Sequence, residues 1–256
     1  MLLAIDIGNT HIDLGLFLDD QLQVHSKWPT RRDARIETYQ EHLQHFLQTA
    51  NRTNAIECVL ISAVVSDLDR ILADLCRALG MQVRQVDSRW DLGLHIDYDD
   101  PDRVGIDRLL AAAAAFERTP SGHGAVIADA GTAITVDLVD ARGRFLGGAI
   151  APGLYLMLGA MNAGTSLLPA IELSDDVPLV GKNTPDGMRS GALHGAAALV
   201  DGLCLRMGES QQHPLARTLT GGDGERLFRL TRHFDHCEPA LVLHGLALAY
   251  RRLLTA

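Results

Sequence analysis

Short apolar runs at 2–7 and 11–17, separated by Gly8-Asn9, read as two strands of a hairpin. The alternating stretch 21–28, QLQVHSKW, reads as a third strand. From Asp33 the period changes: Ile36, Tyr39, Leu43, Phe46 and Leu47 recur at helical spacing. The β-branched run ECVLISAVV, 57–65, predicts a buried strand. A helix over Asp67–Leu79, capped near Ser66, and a short strand QVRQV at 82–86 follow. Residues 90–103 are acidic and irregular, and GIDRLLAAAAAFER, 105–118, predicts a helix through its five consecutive alanines. Three strands then recur at Ala125–Asp129, Ala133–Val139 and Phe145–Ile150. They are followed by a helix from about Gly153, a proline-rich loop at 167–185 and a long small-residue helix at 185–207. A strand at 216–222 and helices at 223–233 and 239–253 close the chain.

The order repeats, and so does its chemistry. AIDIGNTHIDLGLF, 4–17, returns as IADAGTAITVDLVD, 127–140. Without gaps, Asp6 maps to Asp129, Gly8 to Gly131 and Thr10 to Ala133, which Thr132 and Thr135 flank. An offset of 123 residues in a chain of 256 predicts an α/β duplication whose halves share one site. The boundary is expected within 117–124, giving an N-terminal α/β domain at 1–117 and a C-terminal one at 118–256.

Composition narrows the function class. A length of 256 residues, 47% hydrophobic and 21% charged, suits a globular chain with a substantial core. The net charge of −9, with no basic block, argues against nucleic acid and anionic membrane as partners. Cys58, Cys76, Cys204 and Cys237 form no CxxC pair and no zinc spacing, so they read as thiols of a reducing cytoplasm. The opening MLLAIDIGN lacks the basic start of a signal peptide. The uncharged segment 145–171 is long enough to span a bilayer, but its glycines, two prolines and Asn162 predict a strand followed by a packed helix.

Several nucleotide motifs are missing: no P-loop, no GxGxxG after a strand, no HExxH and no GxSxG. The two Asp-x-Gly hairpins offer another phosphate site. Glycine lets backbone NH groups approach an anion, and Asn9, Thr10, Thr132 and Thr135 add donors. Asp6 and Asp129 would repel phosphate, so they imply Mg²⁺ or a monovalent ion between. A single such hairpin reads as a common structural turn; two at half-chain spacing point to a site. Asp107, near the start of a helix, fits a first-turn acid favoured by the helix dipole. Thr184, before Pro185, fits a helix N-cap. His42 and His45 lie on a solvated helix face.

Paired DxG hairpins in duplicated halves resemble the actin-like and sugar-kinase ATPase superfamily. Within it, DIGNT (6–10), GIDR (105–108), DAGTAIT (129–135), GGAIAPG (147–153), TSLLP (165–169), GKNT (181–184) and TGG (220–222) occur in the order of type III pantothenate kinases. The resemblance covers nearly the whole chain. It implies a duplicated actin-like, ribonuclease H-like α/β fold of two domains with a cleft between them. It also implies ATP-dependent phosphorylation of pantothenate to 4′-phosphopantothenate, the first step towards coenzyme A. The matched positions would bind ATP through Asp6, Ile7, Gly8, Asn9, Thr10, His11, Ile12, Asp13 and Thr132. Asp129 would hold a monovalent cation, K⁺ or NH₄⁺, alongside Mg²⁺. Asp107 would be the catalytic aspartate, and Tyr98, Gly105, Ile106, Asp107, Arg108 and Thr184 would contact pantothenate, Thr184 from the partner subunit of a homodimer. Chemically, Asp107 suits the acceptor of an alcohol proton, and Arg108 offers a planar fork to a carboxylate. Rival readings are a kinase for another small alcohol, a non-catalytic transcription accessory factor and, more remotely, an actin-like filament protein.

Overall fold

A computed structural model of the chain describes residues 1–31, 33, 36–49 and 56–255. The elements begin with β1 (Leu2–Ile7), β2 (His11–Leu18), β3 (Gln21–Pro29), α1 (Ile36–Thr49), β4 (Cys58–Ala63), α2 (Ser66–Ala78), β5 (Val83–Gln85) and β6 (His95–Ile96). A 3₁₀ turn at Pro101–Arg103 leads to α3 (Ile106–Glu117), β7 (Gly124–Ala130), β8 (Ala133–Val139), β9 (Arg144–Pro152) and α4 (Leu154–Gly164). The last are α5 (Thr184–Glu209), β10 (Leu215–Thr220), α6 (Gly224–Phe228), β11 (His236–Cys237) and α7 (Leu241–Thr255). They form two compact units, Met1–Leu94 with Asp99–Ala114 and Val242–Ala256, and His95–Tyr98 with Ala115–Leu241.

The first unit holds a sheet in the order β3-β2-β1-β4-β5. Strand β1 pairs antiparallel with β2 and parallel with β4. Leu3, Ile5 and Ile7 of β1 point to one face, where α1 supplies Tyr39, Leu43, Phe46 and Leu47 and α2 supplies Leu68, Leu72 and Cys76. That i, i+4, i+7, i+8 series is the helical stripe the sequence pattern predicts. Asp6 alternates onto the opposite face. There α7 lies close: a Cβ on Gly15 would sit 3.1 Å from the Leu243 side chain. Gly245 of α7 rests directly on the Leu110 backbone of α3.

The second unit repeats the plan. Its sheet runs β11-β10-β7-β8-β9-β6, so β9-β8-β7-β10-β11 reproduces the first order and β6 is added beyond β9. Strand β7 pairs antiparallel with β8 and parallel with β10. Ala128, Ala130, Ile134 and Val136 pack against Leu154 of α4, Leu193, Ala196 and Val200 of α5, and Leu227 of α6. Asp129 alternates onto the other face. Truncating one of these buried leucines to alanine costs about 2–5 kcal/mol, because the cavity relaxes only in part.

Several boundaries differ from expectation. The irregular stretch 90–103 contains β6, and the helix expected at 223–233 ends at Phe228. Asp201 of α5 explains the early stop: its carboxylate takes the backbone NH groups of Arg232 (2.9 Å) and His233 (3.1 Å), drawing that segment off the helical path. The chain then enters β11, which periodicity does not reveal. The cap of α2 is Val65, one residue before the expected position. The cap of α5 is Asn183, whose Oδ1 accepts the Asp186 NH at 2.9 Å, so Thr184 is not the cap. The start of the helix expected from Asp33 lies partly outside the described residues. Among the described residues, no helix is long and apolar enough to cross a membrane, and 145–171 divides into β9, α4 and loop.

Candidate functional site

In the first unit the site is built at the end of β1. Asp6 stands opposite Asp13 of β2 and in register with Ser62 of β4. Ser62 is fully buried and its hydroxyl donates to Asp6 at 2.7 Å. Asp13 in turn receives His25 Nε2 at 2.9 Å and Lys27 Nζ at 3.4 Å from β3. Between the strands, the Gly8 NH donates to His11 O at 2.9 Å, and Thr30 pins the turn twice. Its NH donates to Thr10 O at 2.8 Å and its hydroxyl to Gly8 O at 2.8 Å. Asn9, Thr10 and His11 are exposed, whereas the Ile7 and Ile12 side chains lie in the core. Those two isoleucines therefore offer a ligand only their main chain.

The second hairpin repeats both backbone bonds of the first, without a counterpart to the Thr30 hydroxyl. The Gly131 NH donates to Ala133 O at 3.0 Å, and the Gly153 NH to Thr132 O at 3.0 Å. The second bond is the counterpart of Thr30 to Thr10. It makes Thr132 the equivalent of Thr10, because Asp129 faces Thr135 as Asp6 faces Asp13. The second turn is one residue shorter, so the ungapped match of Thr10 with Ala133 slips beyond the glycine. Asp129 is in register with Thr135 and Thr220, both neutral. Gly221 carries φ +95°, and a side chain there would strike the Asp129 carboxylate. Only glycine lets this turn lie so close.

The remaining candidates divide between the units. In the first, Gly105 leads into α3. A Cβ at Gly105 would stand 2.5 Å from Asp107 Oδ1, so the glycine makes room for that carboxylate. Asp107 is half-buried and accepts the Arg108 NH at 2.9 Å; Arg108 is half-buried and Ile106 is core. In the second unit, Tyr98 is 39% exposed, packs against Phe145 at 6.4 Å between ring centroids, and covers Gly147. Thr184 is exposed at the first turn of α5. The acidic stretch is less bare than its composition implies: Arg103 pairs with Asp100 at 2.9 Å and Arg144 with Asp97 at 3.4 Å.

Among the described residues there is no group of three or more His, Cys, Asp or Glu set to hold a metal. Asp6 faces the Asp13 carboxylate and accepts the Ser62 hydroxyl, so the first row offers oxygen donors. Such donors fit a cation that keeps most of its shell from water and phosphate oxygens, as Mg²⁺ does in phosphoryl-transfer sites. Sequence reading missed Ser62, Thr30 and the Gly153 contact. A lone serine inside an apolar strand was the available signal for Ser62.

A family model described as type III pantothenate kinase matches residues 2–206. The type III pantothenate kinase of Rubrobacter xylanophilus is 36% identical over 265 residues, covering 98% of this chain and 97% of its own. The chain belongs to the type III pantothenate kinase family. Its activity is therefore the ATP-dependent phosphorylation of pantothenate to 4′-phosphopantothenate, which opens coenzyme A biosynthesis. Two solved structures are similar in fold. A Campylobacter jejuni protein described as a Baf family transcriptional activator has a TM-score of 0.64 at 20% identity, covering 99% of this chain and all of its own. MreB5 of Spiroplasma citri bound to ADP has a TM-score of 0.51 at 11% identity, covering 98% and 96%. The fold of this type III pantothenate kinase is thus the actin-like one, an α/β design with two sheets.

Proposed function

We propose that Asp107 is the proton acceptor of the pantothenate kinase reaction and that the two hairpins hold the phosphates of ATP. The observation that carries this reading is the pair of hairpins with equivalent acids, Asp6 and Asp129, and equivalent backbone bonds to the carbonyls of Thr10 and Thr132. Backbone NH groups and hydroxyls at residues 8–11 and 131–132 orient the phosphate chain. The primary alcohol of pantothenate attacks the γ-phosphorus, the bond to the β,γ-bridging oxygen breaks, and the alcohol proton passes to Asp107. Arg108 binds the pantothenate carboxylate, and Tyr98, Gly105 and Ile106 line that subsite. Mg²⁺, when bound near Asp6, supplies neutralisation of the phosphate charge. Asp129 holds K⁺ or NH₄⁺, and Asp13, paired with His25 and Lys27, completes the first hairpin.

Thr184 acts from the partner chain of a homodimer, and the enzyme works in the cytoplasm. Large apolar side chains exposed on the second unit support the dimer: Ile150, Tyr155, Leu156, Leu167, Leu179 and Val180. Four unpaired cysteines, three of them buried, support the reducing compartment.

The test is Asp107→Asn assayed by ATP consumption with pantothenate. Loss of a general base lowers kcat by about 10²–10⁴-fold. The KM for ATP stays within about twofold, since ground-state nucleotide binding does not use this carboxylate. Near-normal turnover would overturn the assignment.

A further inference from the structure

The glycine turn after β10 is fastened to another part of the second unit through one arginine. Asp223 follows Gly221 and Gly222, and its NH donates to Ala130 O at 2.8 Å, beside Asp129. The buried Asp223 carboxylate pairs with Arg226 of α6. Arg226 Nε donates to Asp175 Oδ1 at 2.5 Å.

Asp175 belongs to the segment 165–183, which has neither helix nor strand. Upstream of its last residue, bonds tie that segment to α5: Arg189 Nε donates to Glu172 O at 2.9 Å, His194 Nε2 meets Val177 O at 2.9 Å, and Ser190 Oγ donates to Leu179 O at 2.6 Å. The segment ends at the Asn183 cap and delivers Thr184. Gly181 lies flush against the backbone of Asp186 and Gly187. A shift of 175–181 is therefore transmitted to the start of α5.

We propose that Arg226 is a positioning residue that couples nucleotide at the second hairpin to pantothenate at Thr184, through Asp223 on one side and Asp175 on the other. The inference rests on the roles proposed above for the hairpin and for Thr184. Phosphates seated at Thr132 order the turn that follows Ala130, and the bond from the Asp223 NH to Ala130 O fixes Asp223 in turn. Asp223 fixes the guanidinium, and the guanidinium holds the segment that places Thr184. A planar fork suits this task because it directs two carboxylates at once, with a fixed geometry that a point-charge ammonium meets only in part. In a homodimer with shared sites, the coupling links the nucleotide of one protomer to the pantothenate bound by its partner.

The experiment uses the full-length protein, Mg²⁺, a non-hydrolysable ATP analogue and pantothenate. Calorimetry measures pantothenate affinity with and without the analogue, and hydrogen exchange follows 129–136 and 167–183. In the wild type the analogue tightens pantothenate binding about 5–20-fold, within the usual range of coupling between sites. It also slows exchange in both segments. Asp175→Asn is the chosen variant, because Asp175 is 68% exposed on its side chain and the substitution leaves Arg226 and Asp223 intact. It keeps protection at 129–136 and loses both the protection at 167–183 and the tightening. Arg226→Lys recovers part of the tightening that Arg226→Gln abolishes. Wild-type coupling in Asp175→Asn, or protection at 129–136 without any at 167–183 in the wild type, would overturn the clamp alone. No protection at 129–136 would overturn the second-hairpin reading and the clamp with it.

Discussion

Asp6 and Asp129 occupy equivalent positions but keep different company. The row through Asp6 runs Lys27, Asp13, Asp6, Ser62 across four strands; the row through Asp129 runs Ile150, Thr135, Asp129, Thr220. Two facing carboxylates in the first row suit a divalent ion once Lys27 has offset part of their repulsion. A single carboxylate among neutral hydroxyls suits a monovalent one. Asp129→Ala is therefore expected to lose activation by K⁺ and to weaken ATP binding, while Asp6→Asn keeps its response to K⁺. Steady-state rates against K⁺ concentration measure this; an unchanged K⁺ dependence in Asp129→Ala would place the ion elsewhere. At this scale much was legible from sequence, since both acids, both glycines and the threonines of the turns stand in the repeated motif. The one-residue difference between the turns was not, because register is set by cross-strand bonds such as Gly153 to Thr132 that no linear match contains. The backbone approach of Gly221 to Asp129 was equally hidden, being a contact across 92 positions of chain.

The hairpins of the second sheet also depend on the turn at the far end of β8. Asp140 is buried there and accepts the NH groups of Arg142 and Arg144, both at 2.9 Å, and Arg144 Nε at 2.8 Å. Gly143 closes the turn with φ +77°. Burial alone would raise the Asp140 carboxyl, but these donors outweigh it and hold it below the ordinary carboxylate range. A depressed folded-state value stabilises the fold fully above the unfolded value of about 3.9, and the gain is lost as pH falls through the folded value. Asp140→Asn keeps the shape and removes the charge, so it should cost about 1–3 kcal/mol near neutral pH. Denaturant titrations should show that gap closing below about pH 4. A gap that stays constant to acid would mean the charge contributes nothing. Elements of this length, β7 to β9 and α5, were readable because they carry many periods of their own pattern. The two-residue strands β6 and β11 carry none, and α6 is cut short by Asp201, a residue 31 and 32 positions away from the amides it captures. Propensity loses in each case to a bond made elsewhere in the chain.

At the scale of the whole molecule, the duplication was visible in sequence as two related motifs, and both sheets carry it in the same strand order. The return of the last helix to the first unit was not visible, because it rests on Leu243 and Gly245 meeting β2 and α3 far upstream. Assembly is the remaining level. Leu167, at 91% the most exposed large apolar side chain among the described residues, and Leu179 and Val180 lie within the segment that leads to Thr184. In a two-fold dimer the same patch serves both chains, and each dimer carries two equivalent sites. If Asp107 and Thr184 of one site come from different chains, two dead variants complement each other. Asp107→Asn chains lack the proton acceptor, and Thr184→Trp chains block the pantothenate contact. A mixed dimer then holds one doubly damaged site and one intact site. Random exchange leaves about one quarter of all sites intact. The expected result is recovery of about a quarter of wild-type turnover after subunit exchange, from two inactive preparations, with mixed dimers verified by mass spectrometry. Sites confined to single chains predict no recovery at all, because no chain in the mixture carries both residues. Mixed dimers without activity would refute the shared site, and a fully active monomer would refute the need for assembly.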